Sequence, residues 1–340
     1  MIDKSKAVIA ALLLGSVCPA LILAPLQHRS SASHSENEGE TTQTVCAPVT
    51  ECTEPVKTEN LQIPLLQTDG TVCSVDMQTY VIGVVLSEMP AQFEPEALKA
   101  QAVVARTYTL RRMLSGGKHE NAWVCTDPAC CQAFCSVEEY ITKGGTKESV
   151  DKVISAVQDT GDLIVTYDSK PIEATYFSCS GGSTEDAKAV WGTEIPYLTA
   201  TDSPGEEQAS HYSDTVTFTV EGFFSLLGRR KTEISGSWPE KVTYTAGGGV
   251  DQIQICGISY SGTQMRQKLG LRSTAFSLSV SGNCVTVTTR GYGHRVGMSQ
   301  YGADAMAVQG KTFPEILSHY YRGTTLESMS PYIDKAELLE

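Results

Sequence analysis

Residues Val75–Leu114 read VDMQTYVIGVVLSEMPAQFEPEALKAQAVVARTYTLRRML, and their pattern decides the fold class. Met77, Tyr80, Val81, Val84, Val85 and Glu88 recur at three- and four-residue steps, which puts them on one stripe of a helix. Pro90 disfavours helical geometry at Met89, so this helix is expected to end at or near Glu88. A second helix follows, with Pro95 at its start, Glu94 and Glu96 in its first turn and Arg111 and Arg112 in its last. Gly116 and Gly117 stop it. The pattern therefore sets a lone carboxyl group, Glu88, at the end of an apolar helix. There it meets the negative pole of the helix macrodipole beside Val85 and Met89, and both surroundings raise a carboxyl pKa. A carboxyl that holds its proton near neutrality suits a general acid. A glutamate that simply meets water at a helix end is the commoner case, and the local sequence favours it.

Working outward, the period shortens. DLIVTY, PIEATYFSC and VTFTV, between about 163 and 220, read as strands bounded by turn residues. A short helix is expected near Glu221–Leu227. KVTYTA, VDQIQICGISYSG, AFSLSVSG and CVTVTTRG resume the strands, with GTQMRQKLGL as a helix among them. GMSQYGADAMAVQGKTFPEILSHYYRGT returns to helical spacing, splits at Gly310, reopens on a Thr312/Glu315 capping box and closes at Gly323. Helices and strands in this mixed order, with no internal repeat, indicate an α+β fold with mainly antiparallel strands around a cleft, not a doubly wound sheet.

Toward the amino end, Ala7–Leu26 is free of charge and follows Lys4 and Lys6. Twenty such residues suffice for one membrane-spanning helix, and the flanking lysines place the amino terminus in the cytoplasm. A cleaved leader fits less well, because VCPALILAPLQHRS has no clean small-x-small site and Val17 is too large for lipoprotein cleavage before Cys18. Residues 27–60, rich in Ser, Thr and Glu, read as a flexible linker. The expected organisation is an anchor over 1–26, the linker, a folded domain over 61–327 with a strand-rich subdomain at about 210–290, and a tail over 328–340. The folded domain would lie outside the membrane. A formal net charge of -13 argues against the counterion-release binding of nucleic-acid proteins.

Eleven cysteines are many, and four of them crowd Cys125–Cys135. In KHENAWVCTDPACCQAFC, His119, Cys125 and Cys131 are spaced H-x5-C-x5-C, with Cys130 and Cys135 as further thiols. Thiolates and an imidazole suit zinc, with a fourth ligand from elsewhere. A disulfide from Cys125 to Cys130 or Cys131, or buried free thiols, fits the same spacing. YFSCSGGSTED, Tyr176–Asp186, gives a tight turn exposing backbone N–H groups and hydroxyls, able to orient a sugar or acyl oxygen or to serve as a plain turn. In RGYGHRVGMSQYGADAMAVQG, glycines flank Tyr292 and His294 ahead of a helix carrying Gln300 and Tyr301. The spacing fits no phosphate-binding loop. Aromatic, amide and imidazole groups on such a loop also hold sugar rings, although a lone histidine is more often structural.

Taken together, YVIGVVLSEMPAQFEPEALKAQAVVARTYTL, YFSCSGGSTED, VWGTEIPYL, LRSTAF and GYGHRVGMSQYGADAMAVQGKTFPEILSHYYRGT resemble, in this order, the sporulation stage II protein D (SpoIID/LytB) family of peptidoglycan lytic transglycosylases. Arg295 departs from the pattern, standing where a glycine commonly follows the histidine. The resemblance implies cleavage of the bond between N-acetylmuramic acid and N-acetylglucosamine without water, with Glu88 as the catalytic acid. It implies Arg106, Tyr176, Ser178, Gly181, Gly182, Tyr292, His294, Gln300 and Tyr301 as substrate contacts, although Arg106 within its helix fits a structural ion pair as well. It favours structural zinc on His119, Cys125 and Cys131. It further implies action in forespore engulfment on denuded glycan strands, from the engulfing mother-cell membrane. The expected partners are an amidase and a multi-spanning membrane protein of the same complex. The rival readings are a hydrolytic muramidase pairing Glu88 with Asp186 or Glu185, a zinc-dependent amidase, and a non-catalytic wall-binding scaffold.

Overall fold

The computed structural model describes residues 61–230 and 238–337. The expected anchor and linker, with Cys46 and Cys52, lie outside them. No helix among the described residues is long and apolar enough to cross a membrane.

The described chain opens with an antiparallel hairpin of β1 (Gln62–Leu66) and β2 (Val72–Asp76), in register from Gln62–Asp76 to Leu66–Val72. Asp76 turns it into α1 (Met77–Glu88), accepting the Thr79 N–H at 2.9 Å as an N-cap. α1 stops at Glu88 because Met89, ahead of Pro90, is extended. α2 (Pro95–Leu114) starts on its proline and is buried on all sides from Ala97 to Leu110. Its buried residues include Gln101, Arg106, Thr107 and Thr109 as well as apolar ones, so α2 runs through the core rather than along its surface. α1 and α2 are the heart of this core, together with Ile63, Leu65, Ile164, Ile316 and Tyr320.

β3 (Val124–Cys125) returns the chain to β1 in parallel. α3 (Val137–Thr142) and α4 (Lys147–Asp159) follow; α4 turns Val150, Val153, Ala156 and Val157 inward, an amphipathic stripe that the sequence reading passed over. β4 (Leu163–Tyr167), β5 (Lys170–Pro171), β6 (Tyr176–Phe177) and the short α5 (Ala187–Trp191) complete this half. The expected strand PIEATYFSC is thus broken into pieces. Between them Ile172 and Ala174 are buried while Glu173 pairs with Arg111 and Arg112 of α2, so the segment follows the helix rather than a sheet.

β7 (Ser213–Thr219), α6 (Val220–Leu226), β8 (Lys241–Tyr244), β9 (Val250–Ile255), β10 (Ile258–Ser261), α7 (Gly262–Leu269), β11 (Phe276–Ser281) and β12 (Cys284–Arg290) make a second core. Two antiparallel sheets, ordered β11-β12-β7 and β10-β9-β8, enclose Phe223, Phe224, Ile253, Met265, Val285 and Val287.

β13 (Met298–Ser299) pairs in parallel with β6, and α8 (Gln300–Val308) and α9 (Phe313–Tyr320) pack on the first core. The Thr312/Glu315 capping box is present, while α9 ends at Tyr320, ahead of Gly323. The expected tail is not one. β14 (Thr325–Ser328) pairs with β4, α10 (Ser330–Glu337) follows it, and Met329, Tyr332 and Ile333 are buried in the core. Every ladder pair is antiparallel except β1·β3 and β6·β13, so the architecture is α+β.

Candidate active site

The end of α1, the chain after β3, β6 and the loop before β13 surround a cavity of about 430 Å³. Its walls are rich in rings: Phe93, Tyr108, Tyr176, Phe177, Tyr292, His294 and Tyr301 all line it. Among these lining residues Glu88 is the single carboxylic acid, and Arg266 the single fixed cation. Such a lining, largely apolar with a few convergent polar groups, is how small-molecule and sugar sites are built.

Glu88 keeps part of its surface open to this cavity, while protein fills most of the space around its carboxyl group. Burial raises its pKa above the usual carboxylate range. Three groups favour the charged form and moderate that rise: the Ala133 N–H, which donates to Oε1 at 2.7 Å, the Tyr176 hydroxyl and the Gln300 amide. The Gln300 Nε2 falls short of a well-formed hydrogen bond and has no partner of its own, although the residue is buried.

Behind Tyr176 stands a polarised chain. The Tyr80 hydroxyl (3.4 Å) and the Thr109 hydroxyl (3.2 Å) face Oε1 of the buried Gln132, whose Nε2 donates to the Tyr176 oxygen at 3.3 Å. The amide is oriented by the hydroxyls, so Tyr176 receives a donor at its oxygen and keeps its own proton for Glu88. Gln132 and Ala133 lie on the loop after β3, which Gly83 of α1 admits. A Cβ at Gly83 would stand 2.4 Å from the Phe134 ring and 2.5 Å from the Cys135 carbonyl.

The remaining walls depend on the β6·β13 pair, which brings the Ser-Gly-Gly turn beside the glycine-rich loop. Cys179 and Tyr292 exchange backbone hydrogen bonds of 3.2 and 2.7 Å, and the Tyr301 N–H donates to the Ser178 carbonyl at 3.0 Å. Gly181 and Gly291, both at positive φ, cross so closely that a Cβ on either would sit 2.5 Å from the other strand's backbone. The buried carboxylate of Glu206 holds the turn from below, accepting from Ser180 N–H (2.7 Å), Ser180 hydroxyl (2.9 Å) and Gly181 N–H (3.1 Å). Arg295 has φ +66° and is 2% exposed. It reaches under the loop to the carbonyls of Ser180, Ser183 and Gly247, each at 2.7 Å, and to Glu185 at 3.2 Å. The departure from glycine is thus a buried strut.

Of the residues singled out from sequence, Glu88, Tyr176, Ser178, Tyr292, His294, Gln300 and Tyr301 line the cavity. Gly181 and Gly182 do not; they shape the turn behind it. Arg106 is a correction. It is buried within α2, outside the cavity lining, and its guanidinium donates to the Val157 carbonyl (3.5 Å) and the Thr160 hydroxyl (3.1 Å) at the end of α4 and to the Leu163 carbonyl (2.9 Å) at the start of β4. It satisfies helix-end acceptors, and burial pulls its pKa down to about 10. The second carboxylates weighed above are also elsewhere. Glu185 is 1% exposed in its pair with Arg295, and Asp186 accepts the Ala200 N–H; neither lines the cavity. Gln132, Ala133 and Glu206 were missed, because their roles arise from contacts across tens of residues.

His294 presents a neutral ring. The Val296 N–H donates to its Nδ1 at 3.1 Å, which leaves the proton on Nε2. Burial and the nearby Arg266 charge push its pKa down to about 4.

Beside the cavity, His119, Cys125, Cys130 and Cys131 gather their ligand atoms within 4.8 Å of one another. His119 Nε2 lies 3.6 Å from Cys131 Sγ and 3.8 Å from Cys130 Sγ, and the two sulfurs are 3.9 Å apart. Metal bonds of about 2.3 Å to sulfur and 2.0–2.1 Å to nitrogen put tetrahedral ligands about 3.5–3.8 Å apart, so the set fits a Cys3His zinc site. The fourth member of the cluster is Cys130, taken from sequence as a further thiol, while Cys135 lies outside it. All eight described cysteines are free thiols.

Comparison with known proteins gives the family. A family model described as Stage II sporulation protein (SpoIID) matches residues 67–167. Stage II sporulation protein D of Bacillus subtilis (strain 168) is 39% identical over 333 residues, 96% of each chain. Its namesake from Bacillus amyloliquefaciens is 36% identical over 93% of each chain. A protein named Amidase enhancer, also from Bacillus subtilis, is 28% identical over 72% of this chain and 40% of its own length. The order of motifs, the match to the family model and identity along nearly the whole length give one answer: the chain belongs to the stage II sporulation protein D (SpoIID) family.

Proposed function

We propose that this sporulation-family protein is a peptidoglycan lytic transglycosylase, cutting between N-acetylmuramic acid and N-acetylglucosamine with Glu88 as acid and then base. One observation carries the reading: a single carboxyl group, its pKa raised by burial, stands in a ring-lined cavity without a second carboxylate. Glycosidases that use water generally need two carboxyl groups flanking the bond. One group suffices if the sugar supplies the nucleophile. Protonated Glu88 gives its proton to the glycosidic oxygen as the bond to the muramic acid C1 breaks and positive charge develops there. The resulting carboxylate, supported by the Ala133 N–H, Tyr176 and Gln300, takes the proton of the muramic acid 6-hydroxyl. O6 closes on C1, giving a 1,6-anhydro ring and a free 4-hydroxyl on the departing N-acetylglucosamine. Glu88 ends with the proton it began with.

His119, Cys125, Cys130 and Cys131 would hold zinc, and its part would be structural: it would fix the loop from which Ala133 reaches the acid and Gln132 reaches Tyr176. The uncharged stretch Ala7–Leu26 supports an uncleaved anchor with the amino terminus in the cytoplasm and the folded domain facing the wall. The family supports action in forespore engulfment, on strands freed of stem peptides. The relative named Amidase enhancer supports work alongside an amidase, and a multi-spanning membrane protein would complete the assembly. Product analysis tests the central claim. Purified protein acting on denuded glycan strands is expected to leave anhydro-muramic ends by mass spectrometry, and Glu88→Gln to leave none. Reducing ends alone would refute it.

A further inference from the structure

The aromatic wall of the cavity does not end at the cavity. Phe177 and His294 both line it, edge to face with ring centroids 5.6 Å apart. His294 also meets Trp191, with ring centroids 5.5 Å apart and a tilt of 53°. Trp191 is the last residue of α5, where Gly192 at φ +77° ends the helix and turns the chain away. The indole is outside the cavity lining and 42% exposed. An indole buries a large apolar area when covered, so leaving it open forfeits much of that gain. A scattered exposed apolar residue needs no explanation, but this one continues a row of rings out of a ring-lined cavity. α5 also contributes Lys188 and Ala189 to a second hollow of about 430 Å³, beside Tyr244, which is 61% exposed.

We infer that Trp191 is the platform of a further sugar-binding subsite, just outside the catalytic cavity, against which one pyranose ring of the glycan strand lays its C–H face. The inference rests on the glycan reading of the cavity. A neutral hexopyranose suits the place because His294, uncharged at neutral pH, and the indole offer π-faces and no full charge. A strand threaded through the cavity and emerging past His294 meets Trp191 next. Short oligomers held within the cavity do not reach it; longer ones do.

Binding tests this without turnover. Full-length Glu88→Gln protein is titrated by calorimetry with β-1,4-linked N-acetylglucosamine oligomers of increasing length, with and without Trp191→Ala or Trp191→Phe. The expected result is a loss of about tenfold in affinity on Trp191→Ala for the longer oligomers only, equivalent to about 1.4 kcal/mol. Trp191→Phe should recover most of it, and circular dichroism should show every variant folded. Equal affinity in all variants, or an equal loss at every length, would overturn the subsite while leaving the cavity reading intact. Failure of every oligomer to bind the parent protein would overturn the cavity reading and the subsite with it.

Discussion

Replacing Arg295 by glycine restores the residue that commonly follows the histidine, and the structure says that it should harm this protein. The left-handed φ of +66° costs a residue with a Cβ about 1–2 kcal/mol, which glycine would release. Glycine also loosens the unfolded chain by about 0.4–1 kcal/mol, so the backbone effect nearly cancels. The side chain decides the outcome. Arg295 and Glu185 are 2% and 1% exposed, and removing one partner of a buried pair costs about 3–5 kcal/mol. Glu185 keeps the Gly249 N–H and the Thr245 hydroxyl, each at 2.8 Å, which favours the lower end. A loss of about 3 kcal/mol is expected, a large share of a normal folding free energy. Urea unfolding followed by circular dichroism measures it. Adding Glu185→Gln should restore at least about 1 kcal/mol, because a neutral amide no longer needs a counter-charge. Arg295→Gly as stable as the parent, or a double variant no better than the single, would refute the strut.

Glu88→Gln should raise stability at neutral pH as well as abolish cleavage. Burial lifts the folded-state pKa of Glu88 above its ordinary 4.5, so its contribution is whole below that value and lost as pH rises through the lifted one; thermal midpoints compared across pH should show the gain shrinking toward pH 4. Cys130→Ser should lower bound zinc, measured by elemental analysis, below one per chain, and with it the thermal midpoint. Gly83→Ala should cost about 1–3 kcal/mol in urea unfolding, as its methyl drives the Phe134 loop off α1. Gln132→Leu should lower kcat about tenfold with little change in KM, since it leaves Tyr176 in the wall but removes the group that orients its hydroxyl; a pure KM effect would contradict the relay.

The helices around Glu88 were legible because their signals are local: a three-to-four spacing, Pro90, Pro95 and terminal glycines. The cavity-lining rings were legible only through motif resemblance, since nothing near Tyr176 or Tyr301 in the chain states that they share a space. Arg106 misled because an arginine inside a motif looks the same whether it meets a substrate or the end of α4. Cys130 was passed over because vicinal cysteines look like one ligand and one spare, and only the turn at Asp127–Cys131 shows both sulfurs facing His119. The segment after 327 looked like a tail because nothing in its own few residues states that Met329, Tyr332 and Ile333 are buried in a core built from far back in the chain.

The parallel pairing of β6 with β13 also sets a timetable. It joins Tyr176 to Met298, and the entire second core lies in the loop between them. Closing so long a loop carries an entropic cost that early local contacts do not offset, and such distant pairings slow folding. α1 and α2 with their hairpin can form from neighbours in sequence, so Glu88 is in place early. The walls that make it an acid arrive last. A half-folded chain would therefore carry the carboxyl group without its cleft, and the proposed activity would appear only once these distant strands have met.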